Sequence, residues 1–300
     1  MSHGAVEQRQ HEGERSERGW LSAELSDGEF ATLSDFIHDH CGIRYPPAKR
    51  LALDIRLRKR LRALNLETFG EYLPRVLGAS ASAEEVVLMI DQITTNKTDF
   101  FRESTHFDYL IHEALPRLVR SGASTRGHGL SLWSAACSSG EEVYTLAMVL
   151  ENASERGPRL RYSVLGTDIS TAVLAEARRA IYDAKLIEPV PDEMRRRYLL
   201  QSRARDRDLV RIAPVLRRKV RFSRLNLLAP YTLRGHPHVI FCRNVLIYFD
   251  RATQRQVLDR LCRQLAPGGY LFLGHSDSIS GLKLPVSQLM PSVYHKAAVA

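Results

Sequence analysis

The chain has 300 residues, 44% of them hydrophobic, with a net charge of +9 and a pI near 9.6. That length suggests about two domains with a sizeable core, and the basic balance points to an acidic partner: nucleic acid, an anionic membrane or an acidic protein face. Cys41, Cys137, Cys242 and Cys262 lie far apart without C-x-x-C spacing, which speaks against a disulfide framework or zinc site and for free thiols in a reducing cytoplasm. No run is long and apolar enough to span a membrane, and Met1 to Arg18 lacks the apolar stretch of a signal peptide.

Residues 1–23 read as a disordered tail. A helical domain follows over 24–94. Ser26-x-x-Glu29 is a capping-box pattern ahead of Phe30, Leu33, Phe36 and Ile37 at helical spacing. Gly42 and Pro46-Pro47 break the pattern, and a second helix is predicted over Ala48–Leu64. Its buried stripe is Leu53, Leu57, Leu61 and Leu64. Against one acid, Asp54, it carries Lys49, Arg50, Arg56, Arg58, Lys59, Arg60 and Arg62. That lopsidedness exceeds what solubility requires and predicts a docking surface for an acidic partner, with Arg50, Arg56, Lys59 and Arg60 as its candidates. Thr68–Leu77 and Ser82–Ile93 continue the helical pattern, with Ser82 and Glu85 as a further capping pair.

Residues 95–128 form a connector. Its start, Ile93-Thr-Thr-Asn-Lys-Thr-Asp-Phe-Phe-Arg-Glu103, is rich in hydrogen-bonding groups, and a connector of this kind can lid a crevice and supply contacts to it. Asn96, Thr98 and Arg102 are its candidate ligand contacts.

From Gly129 to the end the pattern becomes α/β. Strands are predicted at Leu130–Ser134, Tyr162–Thr167, Val220–Ser223, Val239–Phe241 and Tyr270–Leu273, with helices at Glu142–Glu151, Thr171–Ala180 and Thr253–Leu265. The alternation implies a mostly parallel, doubly wound sheet. The polar, basic interval at about 183–219 reads as an inserted subdomain with a small hairpin near Leu209–Ile212.

The first strand runs into Ala-Ala-Cys-Ser-Ser-Gly140 and then Glu141-Glu142. A strand, a loop of small residues and a helix bring backbone close to a nucleotide-like ligand. The two carboxylates occupy the helix N-terminus where a pyrophosphate would need positive charge, so they favour a cationic nucleoside such as S-adenosylmethionine. Asp168 ends the second strand, where an acid can hold ribose hydroxyls; the plainer reading is a helix N-cap. Asn226, after the third strand, could meet an adenine edge. Arg243 and Asn244 follow the fourth strand, at the end where ligands bind, and Tyr248 brings a phenol near the same crevice.

Together these segments resemble the CheR family, the chemoreceptor glutamate O-methyltransferases of bacterial chemotaxis. The resemblance covers about residues 25–295. It rests on Thr94-Thr-Asn-Lys-Thr-Asp-Phe-Phe-Arg-Glu103, Trp133-Ser-Ala-Ala-Cys-Ser-Ser-Gly-Glu-Glu142, Phe241-Cys-Arg-Asn-Val-Leu-Ile-Tyr-Phe-Asp250 and Gly274-His-Ser-Asp277. It implies a Rossmann-like S-adenosylmethionine-dependent methyltransferase domain with a small inserted β-subdomain, preceded by an all-helical domain. It also implies that Asn96, Thr98, Arg102, Glu142, Asp168, Asn226, Leu227, Arg243 and Asn244 line the cofactor site, with Glu141 added by the loop argument. Arg102 and Tyr248 would lie nearest the transferred methyl. S-adenosylhomocysteine would be the product, and the partner would be the cytoplasmic helical domain of a methyl-accepting chemoreceptor. The expected protein is a cytoplasmic monomer with no metal, no nucleic-acid partner and no membrane insertion.

Two departures stand out. Asp277 replaces the family's usual Glu. Gln201–Leu209, with Arg203, Arg205, Arg207, Asp206 and Asp208, lacks the glycines of members that grip a receptor's peptide tether, which predicts tether independence. The competing enzyme is an amino-methyltransferase acting on nucleic acid, disfavoured because no proline pair lies between Asn244 and Tyr248. The competing non-enzyme is a receptor-array binding module.

Overall fold

A computed structural model describes residues 20–123, 129–202, 208–277 and 279–298, and the chain divides into two units, Met1–Thr95 and Asn96–Ala300. In the first, α1 (Asp27–Cys41) begins at Ser26, whose backbone N–H donates to Glu29 at 2.8 Å while its hydroxyl accepts the Glu29 N–H at 3.3 Å. It stops at Gly42, which takes the left-handed conformation at φ 77°. A 3₁₀ turn, Pro47–Lys49, occupies the predicted start of the second helix, so α2 runs Arg50–Leu64. Thr68 and Glu71 form a full capping box for α3 (Phe69–Val76).

Ser82 caps α4 (Ala83–Ile93), but Glu85 does not close a box there. Its carboxylate turns inward and accepts Arg60 Nε at 2.9 Å, Arg60 Nη2 at 2.7 Å and the Tyr72 hydroxyl at 2.9 Å. A buried charge with three donors outcompetes a solvated cap. Leu33, Ile37, Leu53, Leu57, Leu61, Phe69, Tyr72, Met89 and Ile90 are buried, whereas Leu64, the last residue of α2, is exposed. Residues 20–23, read as tail, are tied to this unit: Arg58 donates to the Ala23 carbonyl at 2.9 Å, and the Arg62 guanidinium lies 5.4 Å from the Trp20 ring centre. The rest of the predicted tail lies outside the described residues.

In the second unit the connector contains a continuous helical stretch that the sequence pattern did not predict: α5 (Thr105–Tyr109), a π turn (Leu110–Ala114) and α6 (Leu115–Arg120). Phe107, Leu110, Ala114, Leu115 and Leu118 are its buried residues. The main sheet is built around β1 (Leu130–Ala135). On one side β2 (Tyr162–Asp168) and then β6 (Val220–Arg224) pair in parallel; on the other come β7 (Val239–Cys242) and β8 (Tyr270–Leu273), also parallel. β9 (Ser287–Met290) and β10 (Val293–His295) complete seven strands with antiparallel pairing, β10 next to β8 and β9 at the edge. These two were not predicted; they are short and separated by Pro291.

Helices α7 (Glu141–Arg156), α8 (Thr171–Arg179) and α11 (Arg251–Gln264) connect the parallel strands. The insertion between α8 and β6 forms a second sheet, ordered β3 (Ile181–Asp183), β5 (Leu209–Ile212), β4 (Leu199–Gln201), with α9 (Asp192–Tyr198) before β4 and α10 (Pro214–Arg217) after β5. The strand order reverses between β1 and β7, so the ligand crevice of such a sheet lies outside the carboxyl ends of these strands.

Candidate functional site

The loop from β1 to α7 is a sequence of tight reversals. Ala136 (φ 60°), Ser138 (φ 50°) and Gly140 (φ 97°) all adopt positive φ. At Gly140 a Cβ would come within 2.9 Å of Ala177 Cβ and 3.1 Å of the Tyr182 hydroxyl, so only glycine fits without displacement. Asp168 clamps this loop: its Oδ2 accepts the Ser138 N–H at 2.8 Å and its Oδ1 accepts the Ser170 N–H at 3.0 Å. Asp168 is not the N-cap of α8; Ser170 takes that place. The Ser138 hydroxyl donates to the Asn96 carbonyl at 2.7 Å, which brings the connector to the loop.

The two acids that open α7 have separate fates. Glu142 is buried; it accepts the Ser134 hydroxyl at 2.6 Å and Arg243 Nε at 2.7 Å. Its charge is therefore met inside the protein, whereas Glu141 forms no ion pair with a described residue. Glu141, also buried, accepts from the Ser139 hydroxyl at 2.8 and 3.0 Å and from its own backbone N–H. Burial pushes its carboxyl up to about 7, and Glu176 and Asp99 add to that rise.

Arg243 is the hub. Besides Glu142, its Nη1 donates to the Arg102 carbonyl at 2.7 Å and to His106 Nδ1 at 3.2 Å, and stands 3.6 Å from Glu103. Its guanidinium lies over the Phe107 and Phe241 rings at 5.3 and 5.7 Å. Burial, and then Arg243, hold the His106 imidazole down to about 4, so it is neutral and accepts. Burial works against charge on Glu103, but Arg243, Asn244 and His275 outweigh it and keep that carboxyl below the ordinary range. Glu103, His106 and His275 bring ligand atoms within 4.8 Å of one another, as a metal site would. The Arg243 guanidinium already supplies the positive charge beside them.

Asn244 turns the chain after β7 with φ 57°. Its N–H donates to Asp277 Oδ2 at 2.6 Å and its side-chain amide donates to Glu103 at 3.3 Å. Asp277 also accepts the Gly274 N–H at 2.9 Å, so the shorter side chain still bridges the two loops. Burial raises the Asp277 carboxyl against these hydrogen bonds. Tyr248 ends the 3₁₀ turn Leu246–Tyr248, half-buried and without a side-chain hydrogen bond to a described residue. Asn226 accepts the Leu228 N–H through Oδ1 at 3.0 Å, Leu227 is buried, and the Leu225 N–H donates to the Asp168 carbonyl at 2.9 Å. Arg102 folds back to the Lys97 carbonyl at 3.2 Å, and Thr98 is half-buried in the same turn. Asn96, Glu141, Glu142, Asp168, Asn226, Arg243 and Asn244 thus gather at the carboxyl ends of β1, β2, β6 and β7, with Arg102 joined through its carbonyl. Sequence reasoning missed Ser134, Ser138, Glu103 and His106, although Glu103 closes one of the quoted motifs.

On α2 the basic residues divide. Arg60 is spent on Glu85. Arg50 pairs with Asp27, and Arg56 donates to the carbonyls of Ile93 and Thr94 and to the Thr95 hydroxyl. Lys49, Lys59 and Arg62 are exposed, beside Leu51 and Ile55, which are 62% and 54% exposed. The predicted tether-avoiding residues 203–207 lie outside the described residues.

Comparison with known proteins agrees with this architecture. Residues 28–94 match the family described as the CheR methyltransferase all-alpha domain, and residues 96–294 match the CheR methyltransferase SAM binding domain. A chemotaxis protein methyltransferase of Salmonella typhimurium is 39% identical, over 90% of this chain and 90% of its own. Another from Escherichia coli is 39% identical, over 86% and 87%. One from Borreliella burgdorferi is 34% identical, over 92% and 96%. No helix among the described residues is long and apolar enough to cross a membrane.

Proposed function

The chain belongs to the CheR methyltransferase family, and on that premise we propose that it transfers the methyl group of S-adenosylmethionine to glutamate carboxylates on the cytoplasmic helical domain of chemoreceptors. The observation that carries the reading is the Asp168 clamp: an acid at the end of β2 tied directly to a loop of small residues, with a second buried acid, Glu141, that forms no ion pair with a described residue. This donor set suits a nucleoside bearing an ammonium and no phosphate. Asp168 would hold the ribose, Asn226 and Leu227 the adenine, and Asn96, Thr98, Glu141 and Arg102 the amino-acid end. Glu142, Arg243 and Asn244 frame the crevice.

Bound there, the cofactor supplies an electrophilic methyl on a sulfonium. With it bound, a receptor carboxylate oxygen would take the methyl as its bond to sulfur breaks, sulfur would keep the electron pair, and the protein would have no proton to move. A carboxylate is ionised at neutral pH, so the protein needs no strong general base. Its work is alignment and exclusion of water. Tyr248, whose hydroxyl forms no hydrogen bond with a described residue, and Arg102 orient the nucleophile. The exposed Lys49, Lys59 and Arg62, with Leu51 and Ile55 between them, dock the acidic receptor helices. The test is transfer of labelled methyl to a receptor cytoplasmic fragment. Label released as methanol by mild alkali is expected; alkali-stable label rules out the ester.

A further inference from the structure

Behind the loop that follows β6 lies a cavity of about 390 Å³, lined by Pro230, Tyr231, Thr232, Arg260, Arg263 and Gln264. We propose that this cavity binds a phosphate-bearing small molecule and that its occupancy strengthens cofactor binding. The second half of the proposal rests on the reading above that Asn226 and Leu227 border the cofactor.

The lining offers donors and no carboxylate. Arg263 is exposed and forms no hydrogen bond or ion pair with a described residue. Gln264 Oε1 already accepts the Leu233 N–H at 3.1 Å, which leaves its amide N–H groups facing outward from that bond. The Tyr231 hydroxyl is buried and has no hydrogen-bond partner among the described residues, a costly state for a phenol. Burial raises the Tyr231 phenol and Cys242 adds to that rise, against Arg260 and Arg263, which pull it back. The nearest acid along α11, Asp259, is held by Arg255 at 2.8 Å. The surrounding sequence is one-sided as well: from Leu209 to Phe249 there is no Asp or Glu. Two guanidiniums, the Thr232 hydroxyl and the Gln264 amide suit a phosphate group, which has several acceptor oxygens and double charge. The volume is at the small end of ligand pockets, enough for a phosphate with an organic substituent lying against Pro230 and the Tyr231 ring.

Arg260 links the cavity to the crevice. Its Nη1 donates to the Leu227 carbonyl at 3.0 Å, to the Ala229 carbonyl at 3.1 Å and to the Leu228 carbonyl between them. An anion holding the same guanidinium from the cavity side fixes the turn that begins at Asn226. Coupling of this kind is reciprocal: the cofactor must strengthen phosphate binding by the same factor.

The experiment titrates the full chain with inorganic phosphate and with a nucleoside monophosphate by calorimetry, ionic strength being held constant with chloride. Millimolar or tighter binding is expected, weakened about tenfold or more in Arg263→Ala, which touches no cofactor-site candidate. Phosphate should tighten S-adenosylhomocysteine binding about two- to fivefold in the wild type and leave the variant unchanged. Binding no stronger than in the chloride control, or equal in Arg263→Ala, overturns the site. Capture by vesicles of anionic phospholipid without a response to either soluble phosphate overturns the small-molecule occupant. Phosphate binding with unaltered cofactor affinity overturns the coupling. Failure of S-adenosylhomocysteine to bind at all would count against the cofactor reading, while the phosphate titration still judges the cavity.

Discussion

Arg243 and Glu142, 101 residues apart in the chain, meet at 2.7 Å where the strand order of the sheet reverses. Both are buried, and Nη1 of the guanidinium donates to the Arg102 carbonyl and to His106. A buried pair is stable only when its leftover hydrogen-bonding groups are filled, and here the connector fills those of Nη1. One guanidinium thus holds together the end of β7, the start of α7 and the segment carrying Arg102.

Removing that guanidinium strands Glu142. Arg243→Ala is expected to cost about 3–5 kcal/mol of stability, read as a fall in the denaturation midpoint of the catalytic unit. Arg243→Met with Glu142→Gln should recover part of the loss. A single variant as stable as the wild type would show that the pair is not holding the crevice.

Asp168→Ala should weaken S-adenosylhomocysteine binding by about 1.5–3 kcal/mol, the range for hydrogen bonds to a charged group. Part of that loss comes through the loop, because the Ser138 N–H loses its acceptor. Calorimetry measures it; unchanged affinity removes Asp168 from the site.

Lys59 and Arg60 are neighbours on α2 and should fail differently. Arg60→Ala leaves Glu85 buried without its cation and is expected to lower stability by about 3 kcal/mol. Lys59→Ala together with Arg62→Ala should leave the fold intact and slow receptor methylation most at low salt, since exposed charges are screened beyond about 10 Å at 0.1 M. A rate indifferent to both salt and the double substitution would remove α2 from receptor docking.

Glu141 gives a pH dependence of definite sign. Its carboxyl is raised from 4.5 to about 7, so between these values the unfolded chain has lost the proton that the folded state keeps. Stability therefore falls as pH rises through that window, by up to about 3 kcal/mol from this group. His106, lowered from 6.5 to about 4, acts the other way, removing stability as pH falls. The two slopes oppose each other in the wild type. Glu141→Gln should therefore be more stable than the wild type at pH 8, with its advantage gone at pH 4; equal stability at both pH values contradicts the assignment.

Local chemistry was legible in the sequence and long-range pairing was not. The capping box at Ser26 is written within four residues, and the small-residue loop announces itself between an apolar strand and two acids. Asp168 could be placed because a parallel strand ends there. Nothing local says that Glu85 prefers Arg60 to its own helix end, or that Arg243 pairs with Glu142. Residue type shows that a charge needs a partner, and only the fold chooses which. β9 and β10 escaped for another reason: each is too short for alternation to rise above the pattern of a loop.

The span of the Arg243 network sets when the crevice can exist during synthesis. The helical unit is contained within Met1–Thr95, and its internal contacts can form as soon as that stretch has left the ribosome. The crevice has no such early stage. A nascent chain that has emerged through α8 already holds the Asp168 clamp, yet Glu142 has no Arg243 and Asn244 has no Asp277. Cofactor competence is therefore one of the last properties the growing chain acquires, long after its helical unit is finished.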